Sequence, residues 1–191
     1  MNDISEKLLA AQNADLELRT ELAKDNSLYD GYHPKMQSLH ERNAVYLQNV
    51  IKHIGWPSKD KVGQPAADAA WLIAQHAISM PAFQKNCLSL LKDEKDIPAW
   101  QIAMMTDRIC MFENRGQIYG TQFDWDENGE LSPVEIDDIE NVDSRRASVG
   151  LPPLAEAIKK HRAENTYHPS ADDVKARRKK ADLWAKRAGW R

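Results

Sequence analysis

The segment PAADAAWLIAQHAIS, residues 65–79, constrains the chain more than any other. As a helix it is apolar around most of its circumference, with no wide polar face to turn toward water. Such a helix has to be central, with other helices packed around it. The flanking sequence supplies them. Residues 3–25 are rich in Ala, Leu, Glu and Lys, carry Leu8, Leu9, Leu16 and Leu18, and lack Gly and Pro. Pro34 suits the first turn of a second helix, whose apolar positions run through Met36, Leu39, Val45, Leu47, Val50 and Ile51 to Ile54. The connector 55–65 holds two Gly and two Pro. Pro81 opens a further short helix through Phe83, Cys87, Leu88, Leu90 and Leu91. After KDEKD a fifth begins near Pro98, with Ile102, Met105, Ile109 and Phe112 at helical spacing.

Near residue 114 the period changes. QIYGTQFDW (117–125) is rich in strand formers, and ELSPVEI (130–136) is a partner that Pro133 confines to an edge. Between them lies DWDENGELSPVE (124–135), in which Asp124, Asp126, Asn128, Gly129 and Glu135 match the twelve-residue calcium loop. A calcium loop needs a helix delivering the chain into Asp124, and RGQIYGTQF is a poor helix former. Asn128-Gly129 between strand-prone runs favours a hairpin over calcium. Past Pro152 and Pro153 the helical period resumes, and Ser170 is placed to cap a last helix. The chain is thus predicted to be mainly α. Residues 1–168 form one helical-bundle domain with a small β-hairpin near 117–136, and 169–191 form a basic helix packed on it or extending from it.

With 42% hydrophobic and 29% charged residues, the composition is that of an ordinary globular protein. No apolar run is long enough to cross a bilayer, and the N-terminus has no basic region followed by an apolar block. Two cysteines, Cys87 and Cys110, have no metal-type spacing and suggest free thiols in a reducing compartment, so the cytoplasm is expected. Residues 170–191 carry eight Lys/Arg against three Asp, while the whole chain is −3. Such a tail more often docks on its own acidic body than on nucleic acid, so no nucleic-acid or membrane partner is expected.

Polar residues inside apolar helices mark the candidate site. Gln75 and His76 interrupt the central helix, and Asp107 and Arg108 lie among the methionines of the fifth. An imidazole on an apolar face needs partners for both ring nitrogens. QIYGTQ adds Gln117, Tyr119 and Gln122, and DSRR adds Arg145 and Arg146. One reading makes His76 the acid/base group, Asp107 its catalytic partner, and Gln75, Arg108, Gln117, Tyr119, Gln122, Arg145 and Arg146 the binders of a small polar or anionic ligand. The other makes the same residues a buried polar network that pins the hairpin to the bundle. No HExxH, GxSxG, P-loop or CxxC string occurs, and His33, His40 and His53 have no metal spacing with one another, so no metal ligands or cofactor are assigned.

The strings GYHPKM (31–36), GWPSKDKVG (55–63), WLIAQHAISMPAFQ (71–84), DRI (107–109), GQIYGTQFDW (116–125) and VDSRRASVGLPPL (142–154) resemble, in this order, a bacterial family of uncharacterised proteins. The resemblance spans about residues 29–160. It implies that Trp56, Gln75, His76, Asp107, Arg108, Tyr119, Gln122, Arg145 and Arg146 belong to one shared constellation, and that the segment after YGTQ is a hairpin. It transfers no reaction. A non-enzymatic interaction module using the acidic body or the basic tail is the alternative from another class.

Overall fold

A computed structural model describes residues 2–191. The described chain is mainly α, with nine α-helices and one two-stranded antiparallel hairpin. It divides into two units, one ending at Ile97 and the other beginning at Pro98. The division falls between the helices on either side of KDEKD.

The first unit holds α1 (Asn2–Ala23), α2 (Pro34–Ile54), the short α3 (Lys59–Val62), α4 (Gln64–His76) and α5 (Pro81–Asp93). Helix α2 starts as the sequence predicts, with Pro34 in the first turn and His33 accepting a capping bond from the Lys35 amide. It stops at Gly55, whose φ of +71° other residues seldom adopt. The next two residues of the GWP string are buried, and Lys61 Nζ donates to the Trp56 carbonyl at 2.9 Å.

Helix α4 is central, as expected. Ala66, Ala69, Ala70 and Ala74 are buried along it, and side chains this small let α1 and α2 approach closely. Its end is held from the side: Gln84 on α5 donates Nε2 to the carbonyls of Ala74 and Gln75 at 2.8 and 2.9 Å. These are last-turn acceptors that an unaided helix leaves orphaned. The QHA and PAFQ strings are therefore two sides of one helix end.

The second unit comprises α6 (Ala99–Phe112), β1 (Phe123–Trp125), β2 (Leu131–Pro133), α7 (Val142–Ser148), α8 (Leu154–Glu164) and α9 (Ala171–Ala188). The hairpin pairs Phe123 with Pro133, Asp124 with Ser132 and Trp125 with Leu131. Its turn is closed by Gly129 N–H on the Asp126 carbonyl, 3.0 Å, and by Asp126 N–H on the Glu130 carbonyl, 2.9 Å. Gly129 alone of the loop takes a positive φ, +74°. This is the three-residue hairpin with a glycine bulge, and not the two-residue turn in which Asn and Gly are both left-handed. Strands stand where a calcium loop needs helices. Asp126 spends its carboxylate on the amides of Asn128 and Glu130 and the Ser132 hydroxyl.

The strand expected over 117–125 forms only at 123–125, and that over 130–136 only at 131–133. Residues 117–122 are irregular; a parallel bridge joins Gln117 and Ile136, and the Val134 amide donates to the Gln122 carbonyl at 3.0 Å. The basic helix α9 begins with a Ser170/Asp173 capping box. It lies along the hairpin: Arg178 donates to the Trp125 carbonyl at 2.9 Å, and Arg177 sits 4.4 Å over the Trp125 ring and 3.5 Å from Asp124. No helix is long and apolar enough to cross a membrane among the described residues.

Candidate functional site

The expected site residues fall into two groups, one in each unit. Asp107, Arg108, Gln117, Tyr119, Gln122, Arg145 and Arg146 come together in the second. Asp107, fully buried on α6, accepts from the backbone amides of Ile118, Tyr119 and Thr121 and from the Thr121 hydroxyl, at 2.8 to 3.2 Å. The carbonyls of the same loop are held from its other side. Arg145 Nε donates to the Ile118 carbonyl at 2.7 Å, and Arg146 Nη1 donates to those of Tyr119 and Gly120 at 2.7 and 3.2 Å.

Gln117 and Gln122 complete the clasp. Gln117 exchanges bonds with the Gln122 backbone in both directions and donates to the Val134 carbonyl. Gln122 Oε1 accepts from Arg108 Nε at 3.0 Å. Three amides captured by one carboxylate cannot enter a β-ladder, which is why the strand formers of QIYGTQ do not make a strand. Apart from Tyr119, which takes part through its backbone, these side chains bind the protein's own loop. The geometry is that of a fold-determining network.

His76 and Gln75 lie in the first unit, where His76 has partners that the sequence did not single out. His76, the last residue of α4, places Nδ1 2.5 Å from Oδ2 of Asp15 on α1. His40 on α2 places Nε2 3.2 Å from the same oxygen. The two imidazole centroids are 5.0 Å apart. Tyr32 closes the far side, its hydroxyl 2.7 Å from His40 Nδ1. One carboxylate and two imidazoles, from three helices, thus offer ligand-type atoms within 4.8 Å of one another.

Burial is graded across the cluster. The Asp15 side chain is 2% exposed, that of His40 7%, and that of His76 19%. Burial alone would raise the Asp15 pKa, but hydrogen bonding and charge from His40 and His76 outweigh it, and the carboxyl stays well below its ordinary value. Asp15 is therefore a buried carboxylate anion. Its Oδ1 has no hydrogen-bond partner.

Both missed residues have a sequence signal in retrospect. Leu8 and Leu22 are buried, and Asp15 lies seven residues from each, on the same face of α1. His40 sits within the buried stripe Met36, Leu39, Asn43, Ala44 and Leu47 of α2. Leu16, one of the apolar positions of this helix, is 46% exposed.

Comparison with curated proteins and with solved structures finds no match. A family model does match, over residues 2–168. This is wider than the 29–160 span of the recognisable strings; it takes in α1, and with it Asp15, and stops short of α9. By that match the chain belongs to a family of unknown function, DUF6624.

Proposed function

We propose that this protein is an enzyme or ligand-binding domain for a small polar or anionic molecule, and that it meets this molecule at the Asp15–His40–His76 cluster. The observation that carries the proposal is the bond from His76 to Asp15. A deeply buried carboxylate fixes an imidazole that is itself partly open to solvent. A ring held through Nδ1 is oriented to react, and Asp15 takes the partner role that the sequence assigns to Asp107.

Energetics favour this over a purely structural role. Apolar residues of similar volume commonly do as well as a buried ion pair or better. Nothing in the bonding of Asp15 ties down backbone, and one of its oxygens is left unsatisfied. The Asp107 network is the opposite case, because each of its bonds fixes a loop. His76 is accordingly the reacting group, with Asp15 and His40 setting its position and field.

The test uses the full chain with isotope-labelled histidine, titrated with inorganic phosphate, acetate and acetamide. The His76 ring signals are expected to shift with at least one probe, and the response to vanish in His76→Ala while the fold persists. Indifference of the His76 signals to every probe, together with a large fall in melting temperature for His76→Ala, would make the cluster a structural clasp.

A further inference from the structure

We propose that Asp15 Oδ2, His40 Nε2 and His76 Nδ1 together bind a divalent first-row transition ion, with Zn²⁺ the best fit. This rests on the reading of the cluster as the working site and names its cofactor class; with the ion bound, His76 is a ligand and the ion's open position, in place of the ring, meets the small molecule. The donor set is the first reason. Two imidazoles and one carboxylate are the ligands that transition ions take, whereas Ca²⁺ and Mg²⁺ prefer oxygen-only shells. Three protein ligands are also what catalytic zinc sites use, with the remaining position left for water or substrate. His76 is the most exposed of the three, at 19%.

Distance is the second reason. Metal–ligand bonds of roughly 2.0–2.2 Å in a tetrahedral shell put neighbouring ligand atoms roughly 3.3 Å apart. The Asp15 Oδ2 to His40 Nε2 separation is already 3.2 Å. The Asp15 to His76 separation is 2.5 Å, a hydrogen-bond length, so the ion takes the place of the proton there and widens that edge by less than roughly 1 Å.

Two further observations point the same way. Asp15 is almost wholly buried and its Oδ1 has no hydrogen bond, so the carboxylate has a second oxygen to offer. The Tyr32 hydroxyl lies 2.7 Å from His40 Nδ1. Metal-bound histidines commonly make an outer bond of this kind through the nitrogen that does not coordinate. With the ion bound, His40 would donate Nδ1–H to Tyr32 and leave its Nε2 lone pair for the ion; without it, Tyr32 can donate to Nδ1 and Nε2–H faces Asp15.

The experiment is Zn²⁺ titration calorimetry on the full chain after chelator treatment, with Co²⁺ absorption spectra as a second readout. One equivalent is expected to bind, and Co²⁺ to give the bands of a four- or five-coordinate site. His40→Ala and His76→Ala should each weaken binding about 100-fold or more. Tyr32→Phe, which leaves all three ligands in place, should weaken it roughly tenfold. Circular dichroism reports whether each variant is folded, and Tyr32→Phe keeps the test decisive if the histidine variants are not. Failure of the folded wild-type chain to bind Zn²⁺, or binding untouched by all three substitutions, would overturn the proposal. His76 signals that respond to the small probes without any Zn²⁺ binding would refute the metal and leave the site standing. One-equivalent Zn²⁺ binding with no probe response would support the metal and refute the small-molecule role.

Discussion

His76 Nδ1 and Asp15 Oδ2 stand 2.5 Å apart although 61 residues separate them in the chain. That bond joins the first helix to the end of the central one. It also sets a partly exposed imidazole against a buried carboxylate. Removing its buried half is informative. Asp15→Ala leaves His40 and His76 facing an empty acceptor position, and should cost about 1–3 kcal/mol. Urea unfolding monitored by circular dichroism measures this, and an unchanged midpoint would mean that the imidazoles find other partners.

Asp107 should matter more for stability than Asp15 does. Asp107→Ala strands three loop amides and the Thr121 hydroxyl, for a loss of at least about 3 kcal/mol. Hydrogen exchange should rise first at Ile118, Tyr119 and Thr121. A variant of wild-type stability with normal protection of that loop would contradict the structural assignment.

The two kinds of polar residue could not be told apart in the sequence. The helical bundle and the hairpin were legible because each rests on local pattern: three-and-four spacing through α2, α4 and α6, and an Asn-Gly turn between strand formers. His76 was legible as a polar residue on an apolar helix. Asp15 was obscured by its neighbours, since Leu16 and Leu18 suggested an apolar stripe beside the real one through Leu8 and Leu22. His40 was obscured because the groups facing its Nε2 come from α1 and α4, far away in the chain, and Tyr32 comes from the loop before α2. The end of the strand at Phe123 was equally hidden, since the competing acceptor for those amides lies on α6.

The hairpin turn should weaken in acid. Burial tends to raise the Asp126 pKa, but the Ser132 hydroxyl and the amides of Glu130 and Asn128 outweigh it and leave the group below its ordinary value. A depressed carboxyl stabilises the folded state above its unfolded pKa of about 3.9, and that contribution is lost as pH falls through the lower, folded value. Stability followed by Trp fluorescence should therefore decline below about pH 4, with a smaller decline in Asp126→Asn. Identical acid profiles would remove Asp126 from the cause.

Two glycines with nearly the same φ should differ in tolerance. Gly129, at φ +74°, would bring a Cβ within 2.4 Å of the Pro169 carbonyl oxygen, whereas Gly150, at +75°, faces open space. Gly150→Ala carries only the left-handed cost of about 1 kcal/mol, and Gly129→Ala should exceed it by a further 1 kcal/mol or more, roughly. Melting temperatures of the two variants check the order; the reverse order would mean that the chain after α8 is not seated on the turn.

The most direct measurement of the central claim is the proton spectrum of the histidine rings in the chelator-treated full chain. A deshielded proton on His76 Nδ1, donated to the Asp15 carboxylate, is predicted, and it should lose that deshielding in Asp15→Asn while the His40 ring signals shift. Absence of that proton in the wild-type chain, or His40 and His76 signals indifferent to Asp15→Asn, would contradict the existence of a single Asp15–His40–His76 centre.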